Sequence, residues 1–410
     1  MASRLIGTRP RLVWAASLSV ATAVTGCVAI SLGTRGHGAP APSPEAVARL
    51  VVDRAPISIA IRPWSAARRD VQDVSKVLAK TEPFFLYRRV ADLLHLLELW
   101  GAEADFPGPP SFPTPPDARP VSGRDALAFL LLGEDFEAFY KFDDPKNWLL
   151  TRTAHGVREQ VGDLPSLSPH TDNILAICAM NGLPLSTPVK AAGENFLLAD
   201  LLADSLSRFD TGQEIEFSAV ALIRYLPPES RWSDRFGREH NMEEIVEALL
   251  SVPNGQGVCA GTHVLSALAT FYRVGESQGG IPAATLTRIE GRLQDFARLL
   301  ERTQADDGSW SGHWWDLSSS KGDASVIEKI QVTSHHIEWM CLAPESCRVA
   351  DRTAERASRL LLDLMTSLDE STLPSSRSYT PISHGAHALV MPHGCANAWQ
   401  FRQGPGRGTR

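Results

Sequence analysis

Several things are scarce in this chain, and each scarcity excludes a class of protein. Six cysteines among 410 residues are too few for a disulfide scaffold. Basic residues (40) do not outnumber acidic ones (47), and the net charge is -7. No global basic field therefore draws the chain to nucleic acid. Only one uncharged apolar run is long enough to span a bilayer, which excludes a polytopic membrane protein. No phosphate-cradling glycine motif is present, since Gly275, Gly279 and Gly280 do not follow a strand pattern. Strand signals are few from Pro44 onward. What is present is apolar content: 43% hydrophobic against 21% charged residues. That ratio buries a large core and excludes a wholly disordered chain. Length alone points to two or three domains.

The single long apolar run lies at the start. Arg4, Arg9 and Arg11 precede an uncharged stretch from Leu12 to Leu32. At ~1.5 Å per residue it reaches about 30 Å, the thickness of a bilayer core. The flanking arginines orient the remainder of the chain away from the cytoplasm. Three readings fit: an uncleaved anchor, a secretion signal, or a lipoprotein signal. The last rests on Val24-Thr25-Gly26-Cys27, which resembles a lipobox with Cys27 as the lipidated residue. Residues 1–33 are thus expected as a signal or transmembrane anchor. Residues 34–43, rich in Gly, Ala and Pro, read as a linker.

The body, residues 44–396, reads as paired helices of two kinds. Segments such as Thr285–Thr303 and Arg352–Leu368 are amphipathic, with apolar residues at i, i+3, i+4 and i+7. Others, such as Asn173–Met180 and His263–Tyr272, are apolar nearly all round, so protein must surround them. The apolar helices are expected to begin near Phe84, Gly123, Thr171, Glu216, Cys259, Thr333 and Ser383, at gaps of 39, 48, 45, 43, 74 and 50 residues. Such a period suits a helix-turn-helix repeat. Alternating buried and half-exposed helices favour closure into an all-α α/α toroid of six or seven hairpins. An open solenoid is the other architecture. Residues 397–410 are expected to be a disordered tail.

One short motif carries a family resemblance. Leu300, Gln304, Gly308 and Trp310 follow the Leu-x3-Gln-x3-Gly-x-Trp pattern. This resembles the QW repeat of squalene cyclases and other members of the terpenoid cyclase and protein prenyltransferase superfamily. It covers about fifteen residues and occurs once, with Leu299 where an aromatic is usual. The resemblance implies an α/α toroid. It does not imply cyclase activity, because the Asp-x-Asp-Asp acid motif is missing and Asp306-Asp307 belongs to the turn. The Asp expected two residues before a prenyltransferase-type zinc cysteine is also missing before Cys259. Function must therefore be argued from a site.

The candidate site comes from polar residues near the expected starts of the apolar helices. Nine of the twelve histidines lie after Ser168, and six of those nine occur at these starts. Parallel inner helices would gather His170, Glu216, Cys259, His263, His335, His336, His384 and His387 at one mouth. There the positive helix ends would favour an anion. Cys259, His263 and His335 are candidate metal ligands, with zinc as the ion, because thiolate and imidazole suit it. His336, His384 and Tyr379 are candidate acid–base residues of a carbohydrate-active or lipid-active enzyme. Trp310, Trp314, Trp315 and Trp339 are candidate sugar platforms. His170, Glu216, His387 and Trp339 would line a cavity for a small molecule or glycan, so that a tethered ligand-binding protein is the leading expectation and the enzyme its alternative. The plainer reading is that the Ser, Thr and Asp are N-caps and the histidines bond nearby carbonyls. Cys341 and Cys347 flank Pro344 at a spacing that a loop disulfide can bridge.

Overall fold

The computed structural model describes residues 40–82, 89–106, 122–133, 136, 139–140, 148–319, 324–368 and 379–404. The expected anchor, Cys27 and most of the linker lie outside the described residues. No described helix is long and apolar enough to cross a membrane. The described chain is mostly helical, in keeping with the all-α expectation. Its longer helices, in chain order, are α1 (Pro44–Leu50), α2 (Val71–Thr81), α3 (Val90–Trp100), α4 (Gly123–Leu132), α5 (Asn173–Met180), α6 (Leu198–Ser207) and α7 (Glu216–Tyr225). There follow α8 (Met242–Ser251), α9 (Thr262–Gln278), α10 (Ala283–Thr303), α11 (Val326–Leu342), α12 (Asp351–Ser367), α13 (Tyr379–Val390) and α14 (Ala398–Gln403).

Two sets alternate along the chain. Helix α3 packs on α5, α5 on α7, α7 on α9, α9 on α11, α11 on α13, and α13 again on α3. The contacts therefore return to their start. Apolarity on all sides is what admits a helix to this set. Asn173 to Ala179 are all buried in α5, as is every residue of α13 except Thr380. The other set packs outside: α10 buries Ile289, Leu293, Phe296 and Leu300 on one stripe, and α12 buries Ala354, Ala357, Leu361 and Met365.

Several expectations need correction. The helix at Gly123 is not of the inner kind: α4 packs on α3 and exposes Arg124 and Asp125. Helix α11 starts at Val326, not Thr333, because Ser325 caps it by accepting from the Glu328 amide at 3.2 Å. Three short antiparallel hairpins join helices: β1 (Leu150–Thr153) with β2 (Gly156–Glu159), β3 (Pro188–Ala191) with β4 (Glu194–Leu197), and β5 (Arg231–Ser233) with β6 (Glu239–Asn241). Strands this short give too brief an alternation to read. Residues 397–403 are not a loose tail: Asn397 caps α14, and Phe401 is buried. Ala41 and Pro42, expected within the linker, bond Glu239 and Ser233 of the third hairpin. Cys341 and Cys347 are free buried thiols, not a disulfide.

The Gln304 turn does what its residue types allow. The Gln304 amide donates to the Gly308 carbonyl at 3.0 Å and to the Thr353 carbonyl at 2.9 Å. It thereby ties the end of α10 to the first turn of α12. Gly308 has φ 98°, and an added Cβ would stand 2.7 Å from the Arg356 carbonyl oxygen. Trp310 is fully buried and donates to the Leu300 carbonyl at 2.9 Å. Asp307 accepts from Ser309 and pairs with Lys329 at 2.8 Å, so it is consumed by the turn.

Candidate metal centre

The inner helices place ionisable side chains three residues apart, and therefore on one face. Helix α3 carries His95 and Glu98, α11 carries His335 and Glu338, and α13 carries His384 and His387. Helix α9 adds His263 at its second position, and the loop before it adds Cys259. The rings converge. His335 and His384 have centroids 4.0 Å apart, His263 and His335 5.0 Å, and His95 and His384 4.9 Å.

The loop that presents Cys259 is strained. Cys259, Ala260 and Gly261 have φ of 48°, 58° and 80°. Left-handed backbone costs a non-glycine residue about 1–3 kcal/mol and persists only where surroundings impose it. Here the surroundings are specific. The Glu216 carboxylate accepts from the Val258 amide at 3.0 Å and from the Ile215 amide at 3.0 Å. Trp314 donates to the Ala260 carbonyl at 3.1 Å, and Thr262 donates to the Cys259 carbonyl at 2.8 Å. Gly255 lies flat against the Trp315 ring, where a Cβ would come within 2.1 Å. Gln331 donates to the Cys259 sulfur at 3.6 Å. Burial pushes the thiol up to about 12, so a nearby cation is what would draw the thiolate form.

The Cys259 sulfur and one ring nitrogen each of His263 and His335 lie within 4.8 Å of one another. Tetrahedral zinc ligands at bonds of 2.0–2.3 Å sit roughly 3.3–3.8 Å apart, so small side-chain movements would close the set. Neither ring nitrogen of His335 has a hydrogen-bond partner of good geometry, and the Glu338 carboxylate is 3.9 Å from its Nδ1. With the Gln331 carbonyl, one turn back, as a backbone partner for one ring nitrogen, the other nitrogen keeps its lone pair free. Burial holds His263 and His335 well below the usual histidine range, leaving both neutral, the form that binds metal.

Glu338 organises the other side. Its carboxylate accepts from His384 Nδ1 at 3.1 Å and from His387 Nδ1 at 3.0 Å. His387 Nε2 donates to the Ala396 carbonyl at 2.9 Å. Both nitrogens of His387 thus face acceptors, and the ring is an imidazolium. Burial alone would depress it, but the bond and charge of Glu338 raise it to about 9. Burial, with Glu338 nearby, pushes Glu98 up to about 7.

A cavity of about 460 Å³ lies beside this cluster. Glu98, Glu338, His263 and His387 are among its inner walls. Its exposed lining residues are Ser58, in the segment after α1, and Met180, Gly182, Glu103, Ala396 and Gln403, which stand at or beyond the C-terminal ends of inner helices. The expectation of a mouth at the positive helix ends is therefore reversed. Negative helix ends and two carboxylates favour a cation and oppose an anionic ligand.

The sequence candidates separate accordingly. Cys259, His263, His335, His384 and His387 come together. Glu216 lines the cavity but spends its carboxylate on the Cys259 loop. His170 pairs with Glu214 at 3.1 Å and stacks on Phe217 at 5.1 Å, one ring removed from the cavity. His336 turns away: it accepts from Trp339 at 3.1 Å and packs against Trp310 and Trp314. Burial depresses it to about 3, so it offers no base to a ligand. Trp339 and Tyr379 are buried and do not line the cavity. Trp310, Trp314 and Trp339 are thus packing residues, not sugar platforms. His95, Glu98 and Glu338 escaped the sequence reading. Their signal was a His and a Glu three apart within a mainly buried helix. Comparison of the chain with known protein families, with curated proteins and with solved structures finds no match.

Proposed function

We propose that the chain is an α/α toroid whose central cavity holds a zinc-type ion on Cys259, His263 and His335, and that it is a metal-dependent enzyme acting on a small substrate. The cycle of contacts among the six inner helices supports the toroid. The observation that carries the metal reading is the strained Cys259 turn aimed at two neutral histidines, the half-buried His263 and the buried His335, whose ring keeps one nitrogen free. Three protein ligands leave a fourth position, the pattern of catalytic and not structural zinc. An ion there supplies Lewis-acid polarisation of a water or a substrate oxygen. His387, held against the Glu338 carboxylate, is the proton holder beside it. The cavity volume suits a small molecule or a short glycan. Its negative end favours neutral or cationic substrates, with carbonyl or hydroxyl oxygens, over phosphates. The arginine-flanked apolar run at residues 12–32 supports a tethered or exported protein acting outside the cytoplasm.

The test is elemental analysis of untagged protein loaded with zinc and dialysed. Wild type is expected to retain ion, with loss in Cys259→Ser and His335→Ala. His336→Gln should retain it, since that ring faces the tryptophans. If wild type retains no more zinc than Cys259→Ser, the metal reading fails.

A further inference from the structure

Beside the thiolate set lies a second set of donors, harder in character. His95, Glu98 and His384 each place one ligand atom within 4.8 Å of the others. Their hydrogen bonds already choose the tautomers. His95 Nδ1 donates to the Ala91 carbonyl at 2.6 Å, and His384 Nδ1 donates to Glu338 at 3.1 Å. A carbonyl and a carboxylate accept only, so each neutral ring keeps the lone pair of its Nε2 free. This outer bond, Nδ1–H to an oxygen, is how metal-binding histidines are commonly oriented. The His384 side chain is 2% exposed, and its Nε2 is buried without a partner. Glu98 lines the cavity, so an ion here would be reachable by substrate.

We propose that His95, Glu98 and His384 bind a second divalent cation, so that the toroid holds a two-ion centre. The proposal rests on the metal reading above for the first ion, but its ligands are different residues. Two imidazoles and one carboxylate suit Mn²⁺, Fe²⁺ or Zn²⁺, whereas the thiolate of the first set favours zinc. Glu338 stands between the sets. It lies within ligand reach of both His335 and His384, whose rings are 4.0 Å apart. Bonded to the Nδ1 side of His384, the carboxylate faces away from an ion on Nε2, so Glu338 orients His384 for the second ion while standing 3.9 Å from His335 of the first set. Two neighbouring ions clamp a substrate oxygen from two sides, which one ion cannot do.

The experiment uses the untagged full chain, loaded separately with Co²⁺ and with Mn²⁺ and then measured for bound metal. Cobalt on Cys259 gives a thiolate charge-transfer band, which reports the first set alone. Wild type is expected to bind two equivalents of Co²⁺ and to show the band. Glu98→Gln and His95→Gln should each lose one equivalent and keep the band. Cys259→Ser should lose the band and keep the ion that Glu98→Gln loses. A wild type that binds only one equivalent, with the band intact, overturns the second site and leaves the first standing. Absence of the band with one ion sensitive to Glu98→Gln removes the first site and leaves the second. The wild-type stoichiometry decides the question even where a variant fails to fold.

Discussion

At the scale of single residues, two neighbouring buried carboxylates are organised differently. Around Asp172, at φ 57°, the carboxylate accepts from Ser205 and Ser218 and pairs with Arg208, so it does not cap α5. Nearby Glu159 accepts from the Ile174 amide, at 3.0 and 3.1 Å, and from Ser168. Burial, against the Ser168 bond and with Asp172 adding repulsion, pushes Glu159 up to about 8. Its pKa is thus higher folded than unfolded. The fold favours the protonated acid, and stability falls as pH rises from about 4.5 through about 8, by up to roughly 1.4 kcal/mol per pH unit. Glu159→Gln keeps an acceptor for Ile174 and carries no charge. Urea unfolding across this window is expected to show the variant gaining on wild type as pH rises, reaching a plateau above pH 8. A stability difference independent of pH would contradict the buried-acid account.

At the scale of elements, the decisive piece is the loop from Gly255 to Gly261. It has no regular structure, yet it positions the sulfur. Its shape is imposed by Trp314, Trp315 and Glu216, which belong to other parts of the chain. Gly255→Ala would force a Cβ into the Trp315 ring at φ 77°. The expected outcome is destabilisation of about 2–3 kcal/mol, in the range of strained core substitutions, together with loss of the cobalt–thiolate band. Gly291→Ala in α10 is the matched control, since a Cβ there meets nothing within 4 Å. It should be neutral or stabilising by up to about 1 kcal/mol from helix propensity. If the two variants melt alike, the loop is not held as described.

At the scale of the whole molecule, the last helix closes one wall of the cavity. Trp399, Gln400 and Gln403 of α14 line it, Phe401 is buried, and Arg402 lies over the Trp100 ring at 4.4 Å and pairs with Glu82. Truncation after Asn397 is expected to leave helical circular dichroism largely intact while lowering stability by about 3 kcal/mol, the scale of losing one buried Phe. A chelator should then strip bound metal faster than from the full chain. Unchanged melting and unchanged chelator kinetics would show that α14 is not part of the wall.

The chain's own pattern determined much of this. Apolar residues at helical spacing specify the two kinds of helix, because a helix must bury whichever sides are apolar. Ser, Asn and Gly mark helix ends, and the Gln304 turn is local enough to be legible from its residues. Thiolate and imidazole identify Cys259, His263 and His335 as possible ligands wherever they are placed. The direction each residue faces was beyond the sequence. His335 and His336 are neighbours of identical chemistry, yet the turn of α11 sends one to the cluster and the other to three tryptophans. Glu338 and Glu98 have meaning only beside histidines from other helices, which long-range packing alone supplies. Which end of the inner helices carries the exposed lining of the cavity, and hence which charge it favours, likewise follows from how the loops and α14 cover the fold. Those decisions belong to tertiary structure because each depends on contacts between residues far apart in the chain.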